Sequence, residues 1–127
     1  NANYLLCLLK EDFDVPYDRR CAHEFVISAK KFGEKSTINI AKRITDYGFH
    51  APTIYFPLIV KEALMIEPTE TESKETLDEY AKVLKTILKE LKEEPELVKN
   101  APPTTPGRLD EVKAARQLNL RWIPKES

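Results

Sequence analysis

The sequence predicts an α+β domain with a short, mostly antiparallel sheet and helices on one of its faces. Three observations support this fold class. Short segments of strand-like alternation are separated by helical segments, one long amphipathic helix occupies residues 73–93, and the 127 residues suit a single domain with an ordinary core. Hydrophobic residues make up 42% of the chain and charged residues 32%, as in a globular protein rich in surface charge.

Charge, hydropathy and cysteine usage exclude several classes of protein. The net charge is −1 and the basic residues are interspersed with acidic ones, so the chain lacks the basic stripe that binds a nucleic-acid backbone. No apolar stretch approaches the roughly 20 residues that span a bilayer. Cys7 and Cys21 form no CxxC pair, and we expect two buried free thiols. A cytoplasmic protein without nucleic-acid or membrane partners is therefore expected.

The first quarter of the chain predicts a helix and a β-hairpin. Residues 2–10 are apolar on most faces of a helix, and the chain enters this pattern without a Met, so we expect a carboxyl-terminal fragment. Residues 13–17 alternate as in a half-buried strand, and residues 22–28 predict a second strand. The two strands are expected to pair in an antiparallel hairpin, with His23 and Glu24 on opposite faces.

The middle of the chain predicts one helix and two further strands. Ser36 or Thr37 is expected to cap a helix, and Gly48 is expected to end it in the left-handed conformation. Residues 53–56 predict a short strand that the flanking prolines keep at a sheet edge. Residues 64–67 predict a clearer strand.

Residues 73–93 have the strongest helical pattern, because apolar side chains recur there along one face. Thr69 with Glu72 fits a capping box, and Ser73 is the alternative cap. Pro95 is expected to stop this helix.

A proline-rich linker at residues 100–107 leads to a terminal segment. Asp110 is expected to cap a last short helix that ends at Arg116, and residues 118–122 form an apolar patch that can dock on another domain or subunit. We divide the chain into the end of a linking helix (1–12), an α+β domain (13–99), and a linker with a docking tail (100–127).

Polar side chains follow the predicted elements, in the loops where function is commonly carried on a fixed scaffold. His50 follows the turn at Gly48 and can either reach a ligand or bond to loop backbone; both alternatives stay open. Helix capping and the helix dipole explain Glu67, Thr69 and Glu70 more simply than a role in a functional site does.

The remaining candidates form no complete active site. His23 is more simply a structural histidine, and no further His or Cys is spaced for a metal site. The chain has only 3 glycines and no glycine-rich loop that would cradle a phosphate.

Several segments together resemble the carboxyl-terminal region of one enzyme family. They are NANYLLCLL, YDRRCAHEFVIS, DYGFHAPT and LMIEPTETESKETLDEY, and the tail NAPPTTPGRLDEVKAARQLNLRW extends the match. The family is glycine decarboxylase, or glycine dehydrogenase (aminomethyl-transferring), the P-protein of the glycine cleavage system. The chain is similar to subunit 2 of the form that is split into two polypeptides.

The resemblance implies the small domain of a fold-type-I pyridoxal-phosphate enzyme whose large domain holds the cofactor. Such an enzyme decarboxylates glycine and passes the aminomethyl group to the lipoyl arm of H-protein, with the cofactor as electron sink. The implied partners are the large domain, subunit 1 and lipoylated H-protein. The Schiff-base lysine of this family lies in a histidine-rich motif of the large domain. No lysine here has that context, so we expect the fragment alone to be inactive and to hold no catalytic residue.

The resemblance also implies seven positions for substrate-binding or cleft-facing residues, among which His50 and Thr53 are favoured and Glu70 comes next. The full set is His23, Glu24, His50, Thr53, Glu67, Thr69 and Glu70. Whether Arg19, Arg20 or Arg43 holds a substrate carboxylate stays open. Two alternatives remain: the small domain of another fold-type-I enzyme such as an aminotransferase, and a free-standing α+β interaction module.

Overall fold

The computed structural model describes residues 1–103 and 108–124, which form a three-stranded antiparallel sheet with helices packed on one face. The helices are α1 (Ala2–Leu9), α2 (Ser36–Asp46), α3 (Lys74–Glu93), α4 (Pro95–Lys99) and α5 (Glu111–Arg116), with a 3-10 turn at Lys30–Phe32. The strands are β1 (Phe25–Ser28), β2 (Thr53–Ile54) and β3 (Ala63–Ile66), in the order β1-β3-β2. The predicted α+β class is confirmed, as is the edge position of the strand after Pro52.

The register of the strands sends one face of the sheet into the core. Ile27 and Ile54 both lie opposite Leu64, and Phe25 lies opposite Ile66. Residues directly opposite each other share a face, and all five pack with α1, α2 and α3 in the hydrophobic core. Burying one such side chain fully contributes roughly 1.5–3 kcal/mol. Because these five side chains share one face and pack against the helices, the helices lie on that face of the sheet.

The long helix α3 covers that face of the sheet, and its buried stripe is the one its periodicity predicts. The Ser73 hydroxyl caps it by accepting a hydrogen bond from the Thr76 N–H at 3.1 Å. The alternative cap is therefore confirmed, and the capping box at Thr69 and Glu72 is wrong because the helix begins only after it. Pro95 follows the end of α3 and opens α4, where its missing N–H costs nothing.

The predicted hairpin between residues 13–17 and 22–28 is wrong. Residues 13–17 form no strand, and only an isolated bridge joins Asp14 to Ser28, whose N–H donates to the Asp14 carbonyl at 2.8 Å. The partner of β1 is β3 instead. Phe13 is buried in the core, so the alternation reflected an inward-pointing loop side chain rather than a paired strand.

The start of α2 is capped by a distant side chain. Ser36 and Thr37 lie inside the helix and are buried, so the predicted local cap is wrong. The Glu62 carboxylate accepts hydrogen bonds from the backbone N–H of Lys35 at 3.1 Å and of Thr37 at 2.9 Å. A negative charge there complements the helix dipole. This contact ties the loop before β3 to α2.

The amino-terminal helix packs into the core, whereas the short helix α5 near the other end is exposed. The side chains of Leu5 and Leu9 place α1 within the core. Asp110 caps α5 as predicted, by accepting a bond from the Lys113 N–H at 2.9 Å. Part of the predicted linker, residues 104–107, lies outside the described residues.

The two cysteines are free, as predicted, but they are not buried: Cys7 is exposed and Cys21 is half-buried. Cys7 lies on the outer side of α1, so the apolar residues next to it in the sequence do not indicate whether Cys7 itself is buried. In residues 1–103 and 108–124, no helix is both long and apolar enough to cross a membrane.

Candidate functional site

A cavity of about 270 Å³, which we call the cleft, opens where α2 and β3 end and α3 begins. Its polar lining comes from His50, Glu67, Thr69, Glu72 and Thr76, and the rest of its wall is apolar or aromatic. A mainly apolar wall with a few converging polar groups is typical of ligand sites, whose volumes start at roughly 300 Å³. The cleft is therefore slightly smaller than that range.

The end of α2 positions His50 at the rim of the cleft. Gly48 takes the left-handed conformation with φ +80°, which lets the Phe49 N–H donate to the Ile44 carbonyl at 3.3 Å. The Phe49 ring then packs edge-on against Tyr80, with centroids 5.3 Å apart. The next residue, His50, is thus held by a closed turn and a half-buried ring while its own side chain stays exposed.

The opposite rim is the loop from Glu67 to Glu72, which the first residue of the chain helps to close. The Asn1 side-chain amide donates to the carbonyl of Thr69 at 2.8 Å and of Glu72 at 3.0 Å. The hydroxyls of Thr69 and Thr71 lie 2.9 Å apart. The start of α1 is therefore fastened to the rim of the cleft.

The wall of the cleft is acidic where it is charged. Glu67 and Glu72 contribute carboxylates, and no lysine or arginine of the described chain is among the lining residues. Burial raises the pKa of Tyr80, so its phenol stays neutral at physiological pH. Such a wall suits a neutral or positively charged part of a ligand better than a phosphate group.

Three of the seven predicted site residues meet in the cleft: His50, Glu67 and Thr69. The other two from this part of the chain do not line it. Thr53 is exposed on the edge strand β2, and Glu70 is exposed in the turn before α3.

His23 and Glu24 lie elsewhere, in a shallow depression that they share with Arg19 and Arg20. The expectation that they point to opposite faces is wrong, because both precede β1 and strand alternation does not apply to them. The His23 Nε2 lies 3.9 Å from a Glu24 carboxylate oxygen, beyond hydrogen-bond range. The His23 side chain is 67% exposed, so the pair contributes little.

None of the three candidate arginines lines the cleft. Arg43 is held by the Glu90 carboxylate, which accepts from its Nε at 2.8 Å and its Nη2 at 2.9 Å. Sequence reasoning missed Tyr80 and Glu72 as cleft residues. The apolar stripe of α3 contained Tyr80, and Glu72 was assigned to capping, so neither pattern distinguished a cavity wall from ordinary structure.

Fold and cleft together define an α+β domain with one small, mainly apolar cleft between its elements and no complete catalytic set among its described residues. A family model described as "Glycine dehydrogenase, C-terminal domain" matches residues 1–102, and the chain belongs to this family. The resemblance found in the sequence is thereby confirmed.

Curated relatives extend the match to nearly the whole chain. A probable glycine dehydrogenase (decarboxylating) subunit 2 of Desulforamulus reducens is 58% identical over 98% of this chain and 27% of its own length. Proteins with the same description from Caldanaerobacter subterraneus subsp. tengcongensis and Kosmotoga olearia are 61% and 57% identical, over 96% and 99% of this chain and 26% and 27% of their own lengths. The chain thus spans about a quarter of the length of these relatives.

Proposed function

We propose that the chain is the carboxyl-terminal domain of subunit 2 of a two-subunit, pyridoxal-phosphate-dependent glycine decarboxylase. The enzyme would decarboxylate glycine and transfer the aminomethyl group to the lipoyl arm of H-protein, with subunit 1 as its partner. The observation that carries this proposal is the family match over residues 1–102. The two free cysteines agree with a reducing, cytoplasmic setting.

The described residues do not fit a site that holds pyridoxal phosphate by itself. No lysine lines the cleft to form a Schiff base, and no arginine lines it to bind a phosphate. The carboxylates of Glu67 and Glu72 would repel the phosphate instead. We therefore assign the cofactor to the part of the enzyme that precedes this domain.

The domain would supply one wall of the active site. Its relatives extend well beyond the matched region, and the family is a carboxyl-terminal domain, so most of their chain precedes the position of Asn1. Asn1 is fastened to the rim of the cleft, so in a protein of the relatives' length the chain before this position would approach the cleft. His50 and the neutral Tyr80 phenol would then bind and orient the substrate, and the acidic rim would favour its amino group over anions.

Isotope exchange tests the proposed activity. The complete two-subunit enzyme, with pyridoxal phosphate and lipoylated H-protein, is expected to exchange label between bicarbonate and the glycine carboxyl group. Transamination without exchange would instead indicate an aminotransferase. An initiator codon at or near Asn1 in the gene would favour a free-standing interaction module.

The isolated 127-residue chain is expected to show no exchange, because it lacks a lysine in its cleft. Borohydride reduction with pyridoxal phosphate should trap no stoichiometric adduct at one lysine, as judged by peptide mass mapping. A single stoichiometric adduct would show that the cofactor site lies in this chain after all.

Deleting residues 107–127 from full-length subunit 2 is expected to weaken assembly of the enzyme. The tail exposes Leu118, Leu120 and Trp122 to 71%, 87% and 85%, and such apolar surface is normally covered by a partner or another domain. Analytical ultracentrifugation of the mixed subunits measures the effect. A variant that lacks only residues 125–127 is the matched control, and unchanged assembly of the longer deletion would reject a docking role.

A further inference from the structure

The side chain of Asn1, at the start of α1, is used outside its own helix. Asn1 occupies the N-cap position, where asparagine is among the most effective caps, yet its side chain makes no capping hydrogen bond. The side-chain amide donates instead to the backbone carbonyls of Thr69 and Glu72. We propose that Asn1 is a positioning residue of the cleft, which holds residues 67–72, here called the rim loop, in the conformation that binds substrate.

Asn1 binds both ends of a turn within the rim loop. The Glu72 N–H closes this turn by donating to the Thr69 carbonyl at 3.2 Å. The same carbonyl accepts from Asn1 at 2.8 Å, and the Glu72 carbonyl accepts from Asn1 at 3.0 Å. Residues 69–72 are all exposed, so packing contributes little to holding the turn. Because Thr69 and Glu72 line the cleft, release of the turn would displace part of its wall.

The first turn of α1, which carries Asn1, is itself bound to the rest of the domain. The Asn3 side chain accepts from the Cys21 N–H at 3.0 Å and donates to the Cys21 carbonyl at 2.7 Å. It thus exchanges both bonds with one residue, as a residue of a neighbouring antiparallel strand does. The Tyr4 hydroxyl donates to the Asp78 carboxylate of α3. This turn is therefore a fixed support from which Asn1 reaches the rim loop.

Release of the rim loop is expected to weaken substrate binding and to leave the reaction of bound substrate unchanged. When only a fraction of the molecules is competent to bind, the apparent affinity falls by that fraction. Once substrate is bound, the rim loop has the same conformation with or without the Asn1 contact. The inference rests on the proposed function, in which the acidic rim favours the amino group of glycine. Loss of the Asn1 contact should therefore raise KM and leave kcat unchanged.

The test places Asn1→Ala and Asn1→Asp separately in subunit 2 of the two-subunit enzyme that we propose, and measures steady-state turnover of glycine with lipoylated H-protein. Both variants are expected to raise KM for glycine about fivefold or more, with kcat within about twofold, because neither side chain can donate to the two carbonyls. Aspartate remains an effective N-cap and complements the helix dipole. The Asp variant therefore separates loss of the rim contact from loss of a helix cap.

Asn39→Ala is the matched control, because it also removes a side-chain hydrogen bond of an asparagine. The Asn39 side-chain oxygen accepts from Arg108 at 2.9 Å, and neither residue lines the cleft. Its KM for glycine should stay within about twofold of the unmodified enzyme. Amide hydrogen exchange without substrate gives a readout that is independent of activity. The rim loop should exchange about fivefold faster in both Asn1 variants and at an unchanged rate in Asn39→Ala.

Three results would overturn the positioning role of Asn1. A raised KM in Asn1→Ala but not in Asn1→Asp would show that Asn1 only caps α1. Unchanged hydrogen exchange of the rim loop in both Asn1 variants would show that Asn1 does not hold it, and a lowered kcat at constant KM would show that it does not act on binding. If the unmodified enzyme did not turn over glycine, the proposed function would be rejected, whereas the hydrogen exchange rates would still decide whether Asn1 holds the rim loop.

Discussion

The Glu90→Gln variant is expected to lose about 2 kcal/mol of unfolding free energy near neutral pH. Glu90 accepts two hydrogen bonds from Arg43, and a third at 2.5 Å from the Tyr47 hydroxyl. The side chains of Arg43 and Glu90 are only 14% and 15% exposed. Water therefore cannot compensate Arg43 for the loss of the negative charge of Glu90. Among the described residues, Arg43 would keep Asp46, 3.1 Å away, as its one charged partner.

Urea unfolding of the isolated chain measures this loss. Glu79→Gln, on the exposed face of the same helix, is the matched control and is expected to change stability by less than about 0.5 kcal/mol. Equal effects of the two substitutions would show that the Arg43–Glu90 pair contributes no more than an ordinary surface charge.

The effect of Glu90→Gln should depend on pH with a defined sign. The hydrogen bonds from Arg43 hold the pKa of Glu90 below its ordinary value, whereas burial raises the pKa of Tyr47 and keeps its hydroxyl a donor. A lowered folded-state pKa stabilises the fold above the unfolded-state value, which is about 4.3, and the stabilisation is lost as pH falls through the folded-state pKa. The difference in unfolding free energy between the unmodified chain and Glu90→Gln should be constant above about pH 5.5 and shrink below about pH 4. If this difference in unfolding free energy stayed the same below about pH 4, the charged Arg43–Glu90 pair would not be its cause.

The elements that depend on local pattern were predictable from the sequence. The buried stripe of α3, its Ser73 cap and the turn at Gly48 each follow from residues within a few positions of one another. The contacts that the sequence could not give join distant residues. Arg43 and Glu90 are 47 positions apart, and Thr37 and the carboxylate of Glu62 are 25 positions apart. Neither residue type nor spacing distinguishes Glu62 and Glu90 from the other acidic residues of the chain.

The candidate site also combines features set by neighbouring residues with contacts between distant ones. The sequence placed His50, Glu67 and Thr69 where elements end, and the fold brings those ends to one cleft. It could not predict that Glu70 would point away, because orientation within a turn depends on the turn's hydrogen bonds. Tyr80 entered the cleft wall through packing against the loop after α2, which helical periodicity alone does not specify.

In the two-subunit glycine decarboxylase that we propose, His50→Ala is expected to lower kcat/KM for glycine about 100-fold, the range in which a positioned histidine contributes to a reaction. His50 stands at the rim of the cleft on a loop fixed by Gly48 and by the Phe49–Tyr80 contact. Its exposed side chain makes the substitution a small perturbation of the fold, so unfolding of the isolated chain should be nearly unchanged.

The chain has two histidines, and the other provides the control for this experiment. His23 lies in the depression beside Arg19 and Arg20, and its substitution by alanine should leave kcat/KM within about twofold, as an exposed side chain outside the cleft would. If both variants kept full activity, His50 would have no part in the reaction. If both variants lost activity equally, the cleft would not be the site, because His50 lines the cleft and His23 does not. A loss in kcat with unchanged KM would place the contribution of His50 in the reaction itself, whereas a rise in KM alone would restrict it to substrate binding.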